Sequence, residues 1–563
     1  MLRSVPLHFL PFHSLLMPII AFHSPPITQI VCVYVFWFFP KLHHMVLFFF
    51  RIVSCINDFR MTNSIRSDRV ASVQTDASEA HSVRFAEDPK KVSFDDFMVQ
   101  HLGQFGRYQL AQFIFVSLPS IFIGMHVMSW TFAAHPAEVR CTNITTMGNS
   151  TYTCTTIGYS ASDRWNIYGD RSWIKGTVQS FYYVGHMVGS FFWGIMSDKI
   201  GRKKVLFLAI VIQIICGALM AVAPTWWLYA ILKAGTGISH PGAFAIAIVL
   251  GTEVVGAHYR KIVAIGTAIG IAVGELILDG MAYLIDDYRI LHAVIVGPSL
   301  LLLSYWWLVP ESTRWLVIKQ RYEEADHILK RAARINGSSI PERWWEQLLT
   351  SESSKHTSVG LMDLFRTPEI RKRTLVCFFI WPVNAMMYYG LTMKSDIGGG
   401  DLHINFAFSA GVEIVACVFV FFLIDRIGRR IILAGSFLIA GVCLLLNWLI
   451  GDQVAFYWGM LQIVITKGAV TAAFIAVYTY TAEMFPTVIR TTAVGCCSTM
   501  SRLGAVISSY MALWLVDTFG KLSMVIPFST LSFIAAILTA VFLPETMRKP
   551  MPETIPDVED KRL

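Results

Sequence analysis

Beyond residue 100 the chain alternates long apolar runs with short polar breaks. A bilayer-crossing helix needs about 20 predominantly apolar residues, and that template fits twelve times, predicting spans over 108–132, 173–196, 205–222, 226–250, 262–284, 290–309, 373–393, 403–424, 431–450, 455–478, 492–516 and 521–543. The break at 198–204 carries Lys199, Arg202, Lys203 and Lys204, and that at 425–430 carries Arg426, Arg429 and Arg430, whereas 223–225 and 451–454 carry no Lys or Arg. Basic breaks stay cytoplasmic. This predicts a plasma-membrane protein with both termini cytoplasmic and two six-helix bundles, 93–309 and 373–543. An external loop over 133–172, a cytoplasmic linker over 310–372 and a cytoplasmic tail over 544–563 complete the plan. Within the linker, Tyr322 to Ile335 alternates charges with Ala325, Ile328, Leu329 and Ala332 at helical spacing. That pattern reads equally as an amphipathic helix lying on the membrane or as a solvated linker helix.

The first 92 residues depart from the pattern. Residues 27–39 and 45–53 are apolar, but Pro40-Lys41-Leu42-His43-His44 splits them into pieces too short to cross a bilayer. The expectation is an N-terminal extension, first atypically apolar and then polar and disordered. Residues 1–60 read either as an unusual signal-like segment or, the favoured reading, as a gene-model artefact upstream of a start near Met61. Peptides from that stretch in a mass spectrum would overturn the latter.

Composition agrees with membrane embedding. The chain of 563 residues is 55% hydrophobic and 15% charged, with mean hydropathy +0.54. Its net charge of +8 sits in the breaks between spans, so positive-inside orientation accounts for it and no nucleic-acid partner is needed. Ten cysteines show no CxxC or His/Cys spacing, so neither a metal site nor a redox motif is expected. Cys141 and Cys154 stand apart, sharing a polar stretch with sequons at Asn143 and Asn149. Together these predict a disulfide and two glycans in an oxidising compartment. A third sequon, at Asn336, falls in the charged linker and is expected to carry no glycan.

Three landmarks recur in order. Asp198 and Arg202 are echoed by Asp425 and Arg429; Glu253, seven residues before Arg260, by Glu483, seven before Arg490; Pro310-Glu311 with Arg314 by Pro544-Glu545 with Arg548. Their offsets of 227, 230 and 234 argue for duplication of a six-helix unit. Acids and bases at helix ends can pair across helices. Pairs running between the two bundles would form a gate that opens and closes during alternating access.

These landmarks resemble the signature of the major facilitator superfamily. Gly103-Gln104-Phe105-Gly106-Arg107-Tyr108-Gln109, Pro310-Glu311-Ser312-Thr313-Arg314-Trp315-Leu316 and Tyr480-Thr481-Ala482-Glu483-Met484-Phe485-Pro486 narrow the resemblance to the organic cation, organic anion and carnitine transporter family. Val470-Thr471-Ala472-Ala473-Phe474 and Ser498-Thr499-Met500-Ser501-Arg502-Leu503-Gly504 are most similar to its carnitine and zwitterion branch. The resemblance implies an all-α, twelve-helix fold and polyspecific transport of small organic ions, coupled in some members to sodium. No cofactor is expected beyond coupling to sodium or protons, and no enzyme activity, since no nucleophile and base stand in a catalytic arrangement. Where the carnitine branch has tyrosine and proline, this chain has Glu275 and Asp279, and the family's span-4 arginine becomes Lys233.

An ionisable group at the bilayer centre costs about 2.5–3.5 kcal/mol, so each is a functional candidate. The candidates are Lys233, His240, Glu275, Asp279, Glu413, Lys467 and Arg502. Glu275 and Asp279 lie four residues apart on one face of span 5 and together can hold a cationic group or a proton. Arg502 sits where the resemblance implies substrate selection and suits a carboxylate, with Lys467 assisting. A structural pair between Arg502 and Glu413 is the alternative. Lys233 and Glu253 read as members of gating or packing networks, and His240 as a hydrogen-bonded packing residue rather than a ligand. Trp381, Tyr388, Tyr389, Tyr478 and Tyr480 offer a cation cage or simple packing. The expected substrate is a carnitine-like zwitterion or organic cation. An organic-anion exchanger and a non-transporting solute sensor are the alternatives.

Overall fold

A computed structural model describes residues 93–146, 149–348, 362–450, 456–549 and 551–559. The expected extension over 1–92 lies outside these, as do the side chains of Cys141, Cys154, Asn143 and Asn149. Residues 91–563 form one compact unit.

All twelve predicted spans are helical. Spans 1 to 5 are Arg107–Ala133, Trp173–Ile200, Arg202–Val222, Trp226–Val254 and Arg260–Leu284. Span 6 is Tyr288–Ser299, continued by a 3-10 turn through Ser304 and a last turn to Leu308. Spans 7 to 10 are Pro368–Met393, Leu402–Ile427, Arg429–Ile450 and Phe456–Met484. Span 11 is Arg490–Tyr510, carried through a π-turn over Met511–Leu515 to Phe519, and span 12 is Leu522–Phe542. Ten of these are long and apolar enough to cross a membrane on composition alone. Spans 2 and 11 fall short because Gly, Ser and Tyr, with Arg502, dilute them, and these two polar helices meet each other across the halves.

Several helices outrun their predicted ends. Span 2 continues to Ile200, span 4 to Val254 and span 10 to Met484, because hydropathy stops at the first charge whereas the backbone bonds continue. Gly201 and Gly428 end spans 2 and 8 with φ of 107° and 105°, a region that disfavours any side chain. Their turns press on a carboxylate: a Cβ would lie 2.2 Å from Glu311 at Gly201 and 2.7 Å from Glu545 at Gly428.

Glycine also sets the closest packing. At Gly274 of span 5 a Cβ would meet the Ile121 carbonyl of span 1 at 2.0 Å, and at Gly504 of span 11 the Pro382 carbonyl of span 7 at 2.0 Å. The offset of 230 that carries Glu253 to Glu483 also carries Gly274 to Gly504. Both halves are thus seamed alike.

The loop between spans 1 and 2 carries one antiparallel hairpin, β1 (Glu138–Thr146) and β2 (Asn149–Ile157), whose register sets Cys141 opposite Cys154. The linker helix Tyr322–Asn336 buries Ala325, Leu329, Ala332 and Ala333 against Phe97, Leu102, Trp315 and Trp344. Its apolar face therefore covers the protein's own core, rather than lying on a membrane or standing in solvent as expected. Asn336 caps this contact: its amide oxygen accepts from the Tyr108 N–H at 2.9 Å and its nitrogen donates to the Leu102 carbonyl at 3.0 Å. An amide so engaged leaves no room for a glycan.

Candidate functional site

Three layers of ionisable groups run through the described unit, from the end bearing the linker, through the interior, to the end bearing the hairpin.

At the linker end the landmark residues form one cluster per half. Arg202 reaches Asp198 at 3.0 Å and Glu253 at 3.6 Å, while Glu311 accepts from the backbone N–H groups of Arg202 and Lys203. Arg429 reaches Asp425 at 2.8 Å and Glu483 at 3.0 Å, while Glu545 accepts from the N–H groups of Arg429 and Arg430. The expected pairs between bundles are thus corrected: Asp198, Arg202, Glu253 and Glu311 associate within the first half, and Asp425, Arg429, Glu483 and Glu545 within the second. A carboxylate at the exposed N-terminus of the following helix is the better electrostatic solution. Glu253 and Glu483 do not pair with Arg260 and Arg490 seven residues on. Arg260 instead reaches Asp95 at 3.0 Å, joined there by Arg314, and Arg490 donates to the Phe485 carbonyl. Burial pushes the Asp95 carboxyl up, but hydrogen bonds from Arg260 and Arg314 hold it below its ordinary value. Across the halves at this end, Lys261 pairs with Asp425 at 3.4 Å.

The hairpin end carries the stronger crossings. Asp517 of span 11 takes Lys175 of span 2 across the halves at 3.1 Å and, within its own half, Lys394 beyond span 7 at 3.2 Å. Asp279 of span 5 meets His403 of span 8 at 2.9 Å, with Phe132 stacked on the imidazole. Asp279 is thereby committed to this closure, so it does not act jointly with Glu275 as their shared face suggested.

In the interior, two poles of opposite character stand side by side. Lys467 of span 10 lies 2.7 Å from Glu413 of span 8 and 3.5 Å from the centroid of the Tyr388 ring. Its ammonium also donates to Thr392 and to the Tyr388 carbonyl, while the Tyr388 hydroxyl donates to Glu413 at 2.6 Å. Glu275, fully buried on span 5, stands within interaction range of Glu413 and Lys467. Lys467 is therefore part of the acidic pole and does not assist Arg502, and the alternative pairing of Arg502 with Glu413 is not formed.

Arg502 of span 11 donates to the Tyr389 hydroxyl at 3.1 Å. Tyr183 packs on Tyr389 at 4.7 Å, and His186 and His240 face each other at 4.3 Å within electrostatic reach of the guanidinium. Tyr478 packs edge-on to Trp381 at 4.4 Å, continuing an aromatic wall through Phe474 to Tyr388. Tyr480 is not part of it, because its hydroxyl turns to the Pro544 carbonyl. Lys233 is buried against span 1, donating to the His126 carbonyl at 2.6 Å and Ser129 at 2.9 Å, and so lies outside the linker-end gating network. His240 shares a hydrogen bond with Tyr182 at 2.6 Å, in keeping with a hydrogen-bonded packing residue, and borders the cationic pole.

Sequence reasoning missed Asp95, Lys175, Lys261, His403, Asp517 and the His186 edge of the cationic pole. One signal was available: the offset of 227 that takes Asp198 to Asp425 takes His186 to Glu413.

Residues 139–556 match the family described as sugar (and other) transporters. An organic cation transporter protein of Drosophila melanogaster is 33% identical over 533 residues, 83% of this chain and 95% of that protein. Human organic cation/carnitine transporter 2 is 34% identical over 394 residues, 69% of this chain and 70% of that one. Among solved structures, the xylose transporter XylE from E. coli in an inward-open conformation superposes with a TM-score of 0.57 at 16% identity, covering 79% of this chain and 98% of that one. This last likeness concerns the fold.

Proposed function

Because the chain belongs to the major facilitator superfamily, among its organic cation and carnitine transporter relatives, we propose that it carries a small organic ion with unlike poles. A carnitine-like zwitterion or an organic cation fits best. One observation carries the reading. Tyr388 and Tyr389, neighbours on span 7, serve opposite poles, Tyr388 donating to Glu413 and Tyr389 accepting from Arg502. A solute seated along this edge offers an ammonium to the carboxylates and aromatic faces and a carboxylate to the guanidinium.

Each pole draws on both halves: Glu275 with Glu413 and Lys467, and Arg502 with His186 and His240. Rocking one bundle against the other therefore remakes both poles, as alternating access requires. With Lys175, Lys394, Asp517, Asp279 and His403 engaged at the hairpin end, the captured state is closed there. The linker end carries the basic breaks, and we place it in the cytoplasm with both termini, in the plasma membrane. The facing positions of Cys141 and Cys154 support a disulfide in the external hairpin, with glycans on Asn143 and Asn149; either strand spacing brings directly opposed Cα atoms within disulfide range.

An organic-anion exchanger is the second reading, favoured by Arg502 beside two histidines, and Glu275 weighs against it. Uptake of labelled carnitine, tetraethylammonium and a small aromatic anion, with and without sodium, separates the two. Uptake of the anion alone overturns the zwitterion reading. Binding without uptake would make the protein a sensor. Arg502→Ala is expected to weaken carnitine uptake at least tenfold while sparing tetraethylammonium; equal loss of both would give Arg502 a structural role.

A further inference from the structure

The acidic pole holds one carboxyl group more than its cation can serve. The Lys467 ammonium donates to Thr392 and to the Tyr388 carbonyl and forms its ion pair with Glu413 at 2.7 Å. The second Glu413 oxygen is met by the Tyr388 hydroxyl. Glu413 and Lys467 thus cancel as a pair. Glu275 is left over, with 0% of its surface exposed and, among the described residues, no hydrogen-bond donor on either carboxylate oxygen.

The groups that face it cannot change this. Span 8 presents Glu413, span 10 presents Lys467, and span 7 presents Tyr388 and Tyr389, the latter committed to Arg502. One turn along its own helix, Asp279 is committed to His403. On spans 4 and 6, Lys233 is engaged with the His126 carbonyl and Ser129, His240 with Tyr182 and His292 with Tyr229, and the His126 imidazole of span 1 lies within electrostatic reach of Lys233. An ionised carboxylate taken out of water with no cation or donor costs several kcal/mol, and a buried acid escapes that cost by keeping its proton. The same group becomes a good carboxylate once a cation is seated on it.

We propose that Glu275 exchanges a proton for the cationic group of the substrate, so that moving an organic cation one way moves one proton the other way. The step is balanced. The O–H bond of the Glu275 carboxyl breaks, its proton leaves to water on the open side, and the ammonium takes up the remaining charge. No bond to the substrate forms. On release the carboxylate regains a proton from the side on which the substrate left.

This inference rests on the transport reading above, and one preparation tests both. The full chain is purified into liposomes holding a pH-sensitive dye, the membrane potential is clamped at zero, and tetraethylammonium is the probe. With the lumen one pH unit more acid than the bath, exchange drives about tenfold accumulation of the probe, one pH unit being a factor of ten in proton activity, and the lumen turns alkaline as it enters. Glu275→Gln abolishes both effects, while Glu275→Asp retains them. Accumulation that ignores the proton gradient, or that follows sodium or voltage with a silent dye, overturns the exchange and leaves the transport reading standing. Uptake of neither tetraethylammonium nor carnitine by the wild type overturns both. The wild-type dye trace decides the coupling whether or not either variant folds.

Discussion

Spans 2 and 4 of the first half and spans 8 and 10 of the second occupy corresponding places in the repeat, yet they are closed by different means. In the first half Gly185 and Gly237 let the two backbones touch, a Cβ at either meeting a carbonyl of the other helix at 2.2 Å and 2.1 Å. His186 and His240 meet edge-on beside the contact. In the second half the offset of 227 sets Glu413 where His186 stood, and the offset of 230 sets Lys467 where Gly237 stood. A salt bridge holds the helices in place of a backbone contact. The lesson concerns where duplication is kept. Charge clusters at helix ends and the seam of Gly274 and Gly504 repeat because both halves must fold and turn alike, whereas the interior positions that the proposed solute would meet diverge.

The largest expected effect breaks the second half's closure. Lys467→Met leaves Glu413 buried without its cation, and removing one partner of a buried pair costs about 3–5 kcal/mol. Loss of the folded protein in detergent melting checks this. Adding Glu413→Gln is expected to restore most of that stability without restoring transport. A double variant as unstable as the single one would mean that Lys467 matters for packing alone.

Next in size are the seams. Gly274→Ala and Gly504→Ala each force a Cβ against a carbonyl across a helix pair, span 1 with span 5 and span 7 with span 11. Overpacking of this kind typically costs about 1–3 kcal/mol. Similar losses in Tm for both would bear out the symmetry. A loss at only one would show that the halves tolerate separation differently.

These contrasts explain what was legible in the chain. The twelve spans could be read because lipid imposes length and apolarity on every crossing. The repeat could be read because turns such as those at Gly201 and Gly428 demand fixed residue types. Arg502, Glu275 and Lys467 stood out because charge in an apolar run is rare. Their partners did not stand out, since pairing is set by helix rotation and crossing. Sequence spacing put Glu275 and Asp279 on one face, yet one joins the interior and the other the hairpin-end closure. The linker helix misled for the same reason: its apolar stripe is plain in sequence, but whether lipid or Trp344 covers it is a matter of tertiary structure.

Smaller effects are expected where the linker-end clusters differ. Lys261 meets Asp425 across the halves, but the same offset of 230 leads from Lys261 to Thr491, which has no charge to offer Asp198. Both partners are more than half exposed, so Lys261→Ala should leave stability nearly unchanged. Its effect should fall on the equilibrium between conformations. Faster labelling of a cysteine introduced at Thr491, with unchanged Tm, would register a linker end that opens more often.

The last asymmetry lies just outside the membrane. Arg260 and Arg314 share Asp95, which anchors the Phe94–Leu102 helix to the first half. Of their repeat counterparts, Arg490 turns to the Phe485 carbonyl. The Asp95 carboxyl is held below its ordinary value by the two arginines, so its contribution to stability is present above the unfolded value of about 3.9 and is lost as pH falls through the lower folded value. The difference in Tm between wild type and Asp95→Asn should accordingly stay constant from neutral pH down to about pH 5 and shrink below about pH 4. A difference that instead vanished near neutral pH would assign the titration to a histidine, and Asp95 would then be an anchor by packing alone.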